Sequence, residues 1–246
     1  MPKIVRFHET GGADVLKVED FPLTEPGEGE VRLKVEAIGL NRAEVMFRQG
    51  QYLQDPELPS RLGYEATGIV DAVGPGVSGI QIEDRVSTIP SFPMGKYGVY
   101  GESAIVPGHA VARYPDSLSP VEGAAIWMQY LTAFGALVEF GHLKKDDRVL
   151  ITAASSSVGL AAIQITKAAG ALAIATTRGA DKKQFLLDQG ADDVIVTDEE
   201  NLAARVMAIT SEKGASIVFD PVAGPLLEKL AEAAAHRAVI FEYGAL

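Results

Sequence analysis

The 246-residue chain is predicted to be an α/β protein with a β-rich first part and a doubly wound parallel sheet in its second part. Two observations predict this class. Before about residue 115, short apolar or alternating segments are separated by glycine- and proline-containing turns, which is typical of strands. After that point, apolar strand-like runs alternate with helix-like runs, which is typical of a parallel sheet covered on both faces. We therefore predict two domains, at residues 1–120 and 121–246.

The first part shows its clearest pattern at residues 30–37, where apolar and charged side chains alternate with the period of two of a half-buried strand. One helix is predicted over residues 41–49, with Asn41 as its N-cap. Short strands at this spacing predict a compact β-barrel or sandwich. The predicted strands are residues 3–7, 30–37, 67–73, 84–89 and 103–106.

The second part alternates strands and helices throughout. Helices are predicted over residues 158–169, 181–189 and 225–235, and another from a capping box at 197–200 to about residue 210. This alternation predicts the doubly wound arrangement, in which ligands bind at the carboxyl ends of the strands. The predicted strands are residues 148–153, 172–176, 193–196, 216–219 and 238–243.

The composition excludes several functions. With 22 basic and 33 acidic side chains the net charge is −11, which argues against nucleic acid as a partner. The absence of cysteine excludes disulfides, thiolate nucleophiles and cysteine-ligated metal sites. The N-terminus has no signal-peptide pattern, and polar residues interrupt the mildly apolar stretch 158–177. We therefore expect a cytoplasmic protein without a membrane partner.

A turn of small residues follows the first strand of the second part. It consists of Ala154, Ser155, Ser156, Ser157, Val158 and Gly159, and a helix begins there. Such a turn lets the backbone approach a pyrophosphate, which the N–H groups and dipole of the helix N-terminus can bind. The full G-x-G-x-x-G string is missing, and similar turns also occur in α/β proteins that bind no nucleotide.

The end of the second strand indicates which dinucleotide would bind. An acidic residue is expected there when the ribose 2′-hydroxyl is free. Here Thr177 is followed by Arg178, Lys182 and Lys183, without an acid at the tip. A 2′-phosphate is the natural partner of such a basic group, which favours NADPH over NADH. The alternative is that the two lysines form a solvated helix face.

Several motifs in one order carry a family resemblance. The chain resembles the medium-chain dehydrogenase/reductase superfamily, and within it the zinc-free quinone oxidoreductase, or zeta-crystallin-like, branch, which also includes enoyl reductases. The resemblance extends over essentially the whole chain. The motifs are Gly39-Leu40-Asn41, Arg48-Gln49-Gly50-Gln51-Tyr52, Gly63-Tyr64-Glu65-Ala66-Thr67-Gly68, Val73-Gly74-Pro75-Gly76-Val77, Glu83-Asp84-Arg85-Val86, Leu131-Thr132-Ala133 and Ala153 to Gly159.

The resemblance implies a GroES-like β domain followed by a Rossmann domain, with the active site in the cleft between them. Zinc enzymes of the superfamily use Cys, His and Glu ligands. In this chain Tyr64 stands where their Gly-His-Glu pattern has histidine, and Glu65 alone cannot hold zinc. We therefore expect no metal-ligating residue, and metal-free hydride transfer from NADPH to a quinone or a polarised C=C bond.

The resemblance also implies roles for individual residues. Asn41, Tyr52 and Tyr64 would be the catalytic residues, although Asn41 could equally act as a helix cap and Tyr52 as a packed barrel tyrosine. Thr132, Tyr243 and Gly244 would contact the cofactor together with the turn and the basic tip. Some apolar side chains could line an acceptor pocket or could equally be core, namely Met46, Phe47, Phe92, Met94 and Met128.

Members of this branch usually run past 300 residues, so the resemblance implies that the C-terminal segment is absent from this chain. That segment contains a sixth strand, often the dimer edge, so a homodimer is left open.

Three functional hypotheses follow from these observations. The first is an NADPH-dependent reductase of a small apolar carbonyl compound or quinone. The second is a non-catalytic NADPH-binding protein with a crystallin-like or sensor role. The third, a methyl-donor-dependent enzyme using S-adenosylmethionine, is disfavoured by the basic tip.

Overall fold

The computed structural model describes residues 1–244. Its contacts fall into two units, Met1–Met128 and Gln129–Leu246, called here the N-terminal and C-terminal units. Residues just beyond 120 belong with the N-terminal unit because their side chains and backbone bond to its strands. Thr67 Oγ1 donates to the Pro120 carbonyl at 2.8 Å, and Trp127 Nε1 donates to Ser87 Oγ at 2.7 Å.

The N-terminal unit contains two antiparallel sheets, with strand orders β2-β1-β4 and β7-β3-β5-β6-β8. Inward side chains of the two sheets, such as Phe7 and Leu33, form one core together with Phe47 of the first helix. The predicted alternation in β3 has one exception, because Arg32 is buried and pairs with Asp71 at 2.7 Å. The strands are β1 (Lys3–Phe7), β2 (Leu16–Asp20), β3 (Glu30–Ile38), β4 (Ser60–Arg61), β5 (Ala66–Val73), β6 (Arg85–Thr88), β7 (Ser103–Pro107) and β8 (Val111–Arg113).

Helices of the N-terminal unit are short. They are α1 (Arg42–Arg48), α2 (Met94–Tyr97) and α3 (Pro120–Gly123), with single 3₁₀ turns at Ala13–Val15 and Gly108–Ala110. Helix α4 (Trp127–Phe134) runs from this unit into the next and continues as a π-helical turn over Gly135–Phe140.

The C-terminal unit is built on one parallel five-stranded sheet with the order β11-β10-β9-β12-β13. This order reverses between β9 and β12, which is the point where ligands bind in doubly wound sheets. The strands are β9 (Arg148–Ile151), β10 (Leu172–Thr177), β11 (Asp193–Val196), β12 (Ala215–Asp220) and β13 (Ala234–Glu242). The helices are α5 (Ser157–Ala168), α6 (Lys183–Asp188), α7 (Leu202–Ile209) and α8 (Leu226–Ala233), with a 3₁₀ turn at Ala180–Lys182.

Helices cover both faces of this sheet, as the alternation of elements predicts. Neighbouring residues of β9 face different cores: Val149 and Ile151 pack in a cluster with α5 and α6, whereas Leu150 packs in a cluster with α7 and α8. Strand side chains point alternately to opposite faces, so a strand that is apolar throughout is buried on both.

Two local predictions in the second part are wrong. The capping box predicted at 197–200 does not begin a helix; α7 begins at Leu202, and the Asn201 side chain caps it by accepting from Ala204 N at 2.9 Å. Thr197 instead extends the pairing of the strand ends, since its N–H donates to the Thr177 carbonyl at 2.8 Å. The second error concerns the helix predicted over residues 225–235, which corresponds to α8. The helix ends at Ala233, because Ala234 pairs with β12.

One stretch of the described residues is long and apolar enough to cross a membrane by length and composition alone, Pro120–Phe140. The sequence prediction considered residues 158–177 and missed it. The finding is weak evidence for a membrane span, because a core helix of a globular protein meets the same criterion.

Candidate functional site

The turn after β9 has the local geometry that an anion-binding helix N-terminus needs. Ser156 is the N-cap of α5, and its Oγ accepts from the Gly159 N–H at 3.1 Å. A Cβ on Gly159 would lie 2.6 Å from the Ala154 carbonyl oxygen, so only glycine lets α5 start this close to the strand end. The turn, which includes Ser155, Ser157 and Val158, therefore brings its backbone N–H groups to the carboxyl edge of the sheet.

The tip of β10 lies beside this turn, since the Ala154 N–H donates to the Thr176 carbonyl at 3.3 Å. Thr177 is buried, and its hydroxyl donates to the Gly179 carbonyl at 3.2 Å. Arg178 and Lys182 are exposed. Within residues 1–244, neither has a carboxylate at ion-pair distance. The strand end therefore presents two uncompensated cations in a strongly acidic chain.

Tyr243 lies directly after β13 and approaches the turn from that edge of the sheet. Its ring stacks on Phe219 with centroids 4.1 Å apart, and its N–H donates to the Asp220 carbonyl at 3.0 Å. Its hydroxyl is shielded from solvent and faces Ser156, yet no well-formed hydrogen bond satisfies it. Burial raises the pKa of this phenol above its ordinary value. Gly244 follows next to Pro221. A polar atom of this kind marks a place where a ligand could bond.

Thr132, the remaining residue in the predicted cofactor set, lies in the middle of α4 and is partly buried. Its proposed contact with a cofactor stays a prediction.

In the N-terminal unit, Asn41 is the N-cap of α1, as predicted. Its N–H donates to Glu44 Oε2 at 2.7 Å, which is one half of a capping box. Its side-chain nitrogen donates to Glu65 Oε2 at 2.9 Å and lies 3.5 Å from Glu44 Oε1. One amide hydrogen is thus firmly bound, and the second is held weakly enough to serve another acceptor.

Two buried carboxyl groups, Glu44 and Glu65, surround this asparagine. Glu44 is 3% exposed, and its Oε1 accepts from the Tyr64 N–H at 3.2 Å. Glu65 is 4% exposed, and its Oε1 accepts from the Met128 N–H at 2.9 Å. Burial raises the pKa of Glu44 to about 7, although its hydrogen bonds act in the opposite direction.

Tyr52 and Tyr64 come together in space. Both are partly buried, and Tyr52 lies close enough to Tyr64 to influence its phenol. The pKa of Tyr64 is raised, first by burial and then by Tyr52 and the nearby Glu44. The ring of Tyr64 also packs 5.8 Å from that of Phe92. The residues predicted to be catalytic from separate motifs thus lie close together, and Glu44 links Asn41 to Tyr64 by hydrogen bonds.

Sequence reasoning missed Glu44 and assigned Glu65 no role. A signal was available for Glu44, because an acid three residues after an N-cap asparagine is a capping box. No local pattern marks Glu65, whose carboxyl group is placed by contacts between distant segments: its Oε2 accepts from the Asn41 side chain and its Oε1 from the Met128 N–H. Three apolar pocket candidates, Phe47, Phe92 and Met94, prove to be buried core side chains.

Comparisons with known proteins identify the family of the chain. Residues 27–116 match the model of the alcohol dehydrogenase GroES-like domain, and residues 157–246 match the model of zinc-binding dehydrogenases. These matches confirm the predicted GroES-like and Rossmann architecture.

Several relatives that match nearly the whole sequence are quinone oxidoreductases. The chain is 36% identical to the quinone oxidoreductase of Salmonella typhimurium over 98% of its own length and 72% of that protein. It superposes on the Pseudomonas syringae quinone oxidoreductase with a TM-score of 0.92 and 32% identity, covering 100% of this chain and 74% of that one. For Escherichia coli quinone oxidoreductase complexed with NADPH, the TM-score is 0.90 and the identity 34%, covering 99% and 73%. The chain therefore belongs to the quinone oxidoreductase family of the medium-chain dehydrogenases/reductases.

Proposed function

We propose that this protein is an NADPH-dependent reductase that transfers hydride, without zinc, to a quinone or an α,β-unsaturated carbonyl compound. The observation that carries the proposal is the basic tip of β10 beside the serine turn. Arg178 and Lys182 are exposed and uncompensated where a cofactor with a free 2′-hydroxyl would need an acid. A 2′-phosphate supplies the missing negative charge.

The residues of the C-terminal unit fit NADPH. The N–H groups of the turn from Ser155 to Gly159 would hold the pyrophosphate, and Arg178 and Lys182 the 2′-phosphate. The unsatisfied hydroxyl of Tyr243 offers a further donor beside Ser156. Thr132, Thr177 and Gly244 complete the proposed set. When bound, NADPH supplies the hydride, and an Escherichia coli relative has been solved as a complex with it.

The available donor atoms support zinc-free chemistry. A catalytic zinc takes three protein ligands, from Cys, His or carboxylate side chains. This chain has no cysteine, and within residues 1–244 no group of three or more His, Asp or Glu side chains could hold a metal. Tyr64 stands where the superfamily has its histidine ligand, and a phenol is not one of these zinc ligands.

The acceptor would be polarised by hydrogen bonds from the N-terminal unit. Tyr52 and Tyr64 are phenols that can donate to a carbonyl oxygen, and Asn41 retains a weakly held amide hydrogen. Nearby in sequence, Leu40 and Leu53 are 77% and 92% exposed. Such apolar surface suits an apolar acceptor such as a quinone.

The test combines binding and turnover. NADPH and NADH are titrated into the protein by fluorescence, and oxidation of NADPH is followed with 1,4-benzoquinone and with 2-cyclohexen-1-one, each with and without a zinc chelator. We expect tighter binding of NADPH and chelator-insensitive turnover of at least one acceptor. Binding of NADPH without turnover of either acceptor would favour the crystallin-like or sensor role, and absence of binding would reject both.

A further inference from the structure

Glu44 is unusual because a carboxyl group three residues after an N-cap is normally at the surface. The same unit provides the comparison, since Ser119 and Glu122 form a second capping box at the start of α3. The Ser119 N–H donates to Glu122 Oε2 at 2.8 Å, which matches the 2.7 Å bond from Asn41 to Glu44. Glu122 is exposed, whereas Glu44 is 3% exposed. Capping alone therefore does not explain the burial of Glu44.

The second oxygen of Glu44 provides the explanation. Oε1 accepts the N–H of Tyr64 at 3.2 Å, from a segment 20 residues further along the chain. The two oxygens of one carboxyl group thus bond the backbone of two residues that belong to different segments, Asn41 before α1 and Tyr64 before β5. Both residues are in the catalytic set of the proposed function.

We propose that Glu44 is a positioning residue of the proposed reductase site, whose carboxyl group fixes the segment carrying Asn41 relative to the segment carrying Tyr64. This inference rests on the proposed function. Glu44 acts through its neighbours: it sets where the Asn41 amide and the Tyr64 phenol stand, and Tyr52 lies beside that phenol. The groups that offer hydrogen bonds to the acceptor are thereby held as one unit.

The experiment compares Glu44→Gln with its matched control, Glu122→Gln, in the full chain. Glutamine keeps the size of the side chain but presents one acceptor oxygen and an NH₂ group, so it cannot serve both backbone N–H groups. We expect amide resonances of both Asn41 and Tyr64 to shift in ¹⁵N–¹H spectra of Glu44→Gln, and neither to shift in Glu122→Gln. A shift at Asn41 alone would show that Glu44 acts only as a helix-capping residue, and it would overturn the proposal.

Turnover provides the second readout. With 1,4-benzoquinone, Glu44→Gln should lower kcat about 10- to 100-fold while the dissociation constant of NADPH stays within about twofold, and Glu122→Gln should change neither. An unchanged kcat in Glu44→Gln would contradict the proposal. Should the wild-type protein turn over no acceptor, the proposed function fails, and the amide shifts still decide whether the carboxyl group joins the two segments.

A measurement on the wild-type protein covers the case in which Glu44→Gln does not fold. The amide shifts of Asn41 and Tyr64 are followed between pH 5 and 9. Other ionisable groups near Glu44 include Glu65 and the phenols of Tyr64 and Tyr100, and burial raises the pKa values of the two phenols. Because one carboxyl group contacts both amides, they should titrate together with one midpoint near neutral pH. Separate midpoints, or no titration, would overturn the link.

Discussion

At the residue scale, burial changes what the same local motif does. Glu44 and Glu122 each follow an N-cap by three residues and accept the cap N–H. The pKa of Glu44 is raised to about 7 by burial, while hydrogen bonds from Ser119 lower the pKa of the exposed Glu122. Sequence reveals the capping pattern, and the surrounding packing decides whether the carboxyl group titrates near neutral pH.

Glu44 should make stability depend on pH. Its folded pKa of about 7 lies above its ordinary value of 4.5, so between these values the folded state holds a proton that the unfolded chain has lost. The contribution of Glu44 to the free energy of unfolding is fully present below about pH 4.5. It decreases as the pH rises to 7, by about 3 kcal/mol at most. The Glu44→Gln variant should not show this decrease. Urea unfolding of the wild-type protein and the variant at pH 5 and pH 7.5 measures the difference. Parallel pH dependence in the two proteins would contradict the prediction.

Arg178 should select the cofactor. If its guanidinium binds the 2′-phosphate, Arg178→Ala should weaken NADPH binding by about 1–3 kcal/mol and leave NADH nearly unchanged. The control is Lys213→Ala, an exposed cation before β12, at the opposite end of that strand from the turn. Isothermal titration with both nucleotides gives the comparison. Equal losses of affinity for NADPH and NADH would mean that Arg178 does not bind the 2′-phosphate.

At the element scale, the position of α5 depends on one glycine. The helix begins directly against the end of β9, and the backbone of Ala154 leaves no room for a side chain at Gly159. The N–H groups of the turn therefore reach the carboxyl edge of the sheet, where doubly wound proteins bind ligands. The elements themselves follow from periodicity, but this close approach is a property of their packing.

Gly159→Ala should displace the start of α5. The added methyl group would meet the Ala154 carbonyl oxygen at 2.6 Å, so the backbone must shift, at a cost of about 1–3 kcal/mol. Binding of NADPH should weaken as well. Gly135→Ala is the matched control, since a Cβ there meets nothing within 4 Å. Urea unfolding gives the stability of both variants, and titration gives their affinity for NADPH. Equal losses in the two variants would show that crowding at Gly159 is unimportant.

At the scale of the whole molecule, a local basic group stands out against a net charge of −11. Arg178 and Lys182 lie at the same strand tip, are exposed, and have no carboxylate partner among residues 1–244. A bound 2′-phosphate would supply that partner. Cofactor binding should therefore stabilise the fold as well as enable turnover.

NADPH should raise the melting temperature more than NADH at equal concentration. A ligand present at one hundred times its Kd stabilises the folded state by about 2.7 kcal/mol. Hydrogen exchange should show the added protection at the turn after β9 and at the tip of β10. Differential scanning fluorimetry with both nucleotides makes the first comparison, and an equal rise for the two would argue against recognition of the 2′-phosphate.

Much of the fold could be predicted from local sequence patterns. The period of two at residues 30–37 and the alternation of strands and helices after residue 115 depend on neighbouring residues alone, and β3, β9 to β12 and α5 follow them closely. Both wrong predictions lie where pairing between strands overrides a local helix pattern. The serine- and acid-rich stretch at 197–200 has the pattern of a helix cap, but pairing between Thr197 and Thr177 keeps it at the strand ends.

The two-part α/β class, the absence of cysteine ligands, the serine turn and the basic strand tip could all be predicted from the sequence alone, because each is encoded in residues close together along the chain. The folded structure was needed to show that Glu44 is buried and bonds both Asn41 and Tyr64, and that the unsatisfied Tyr243 hydroxyl lies beside Ser156. Burial and hydrogen bonding between distant segments depend on packing, which no local pattern records.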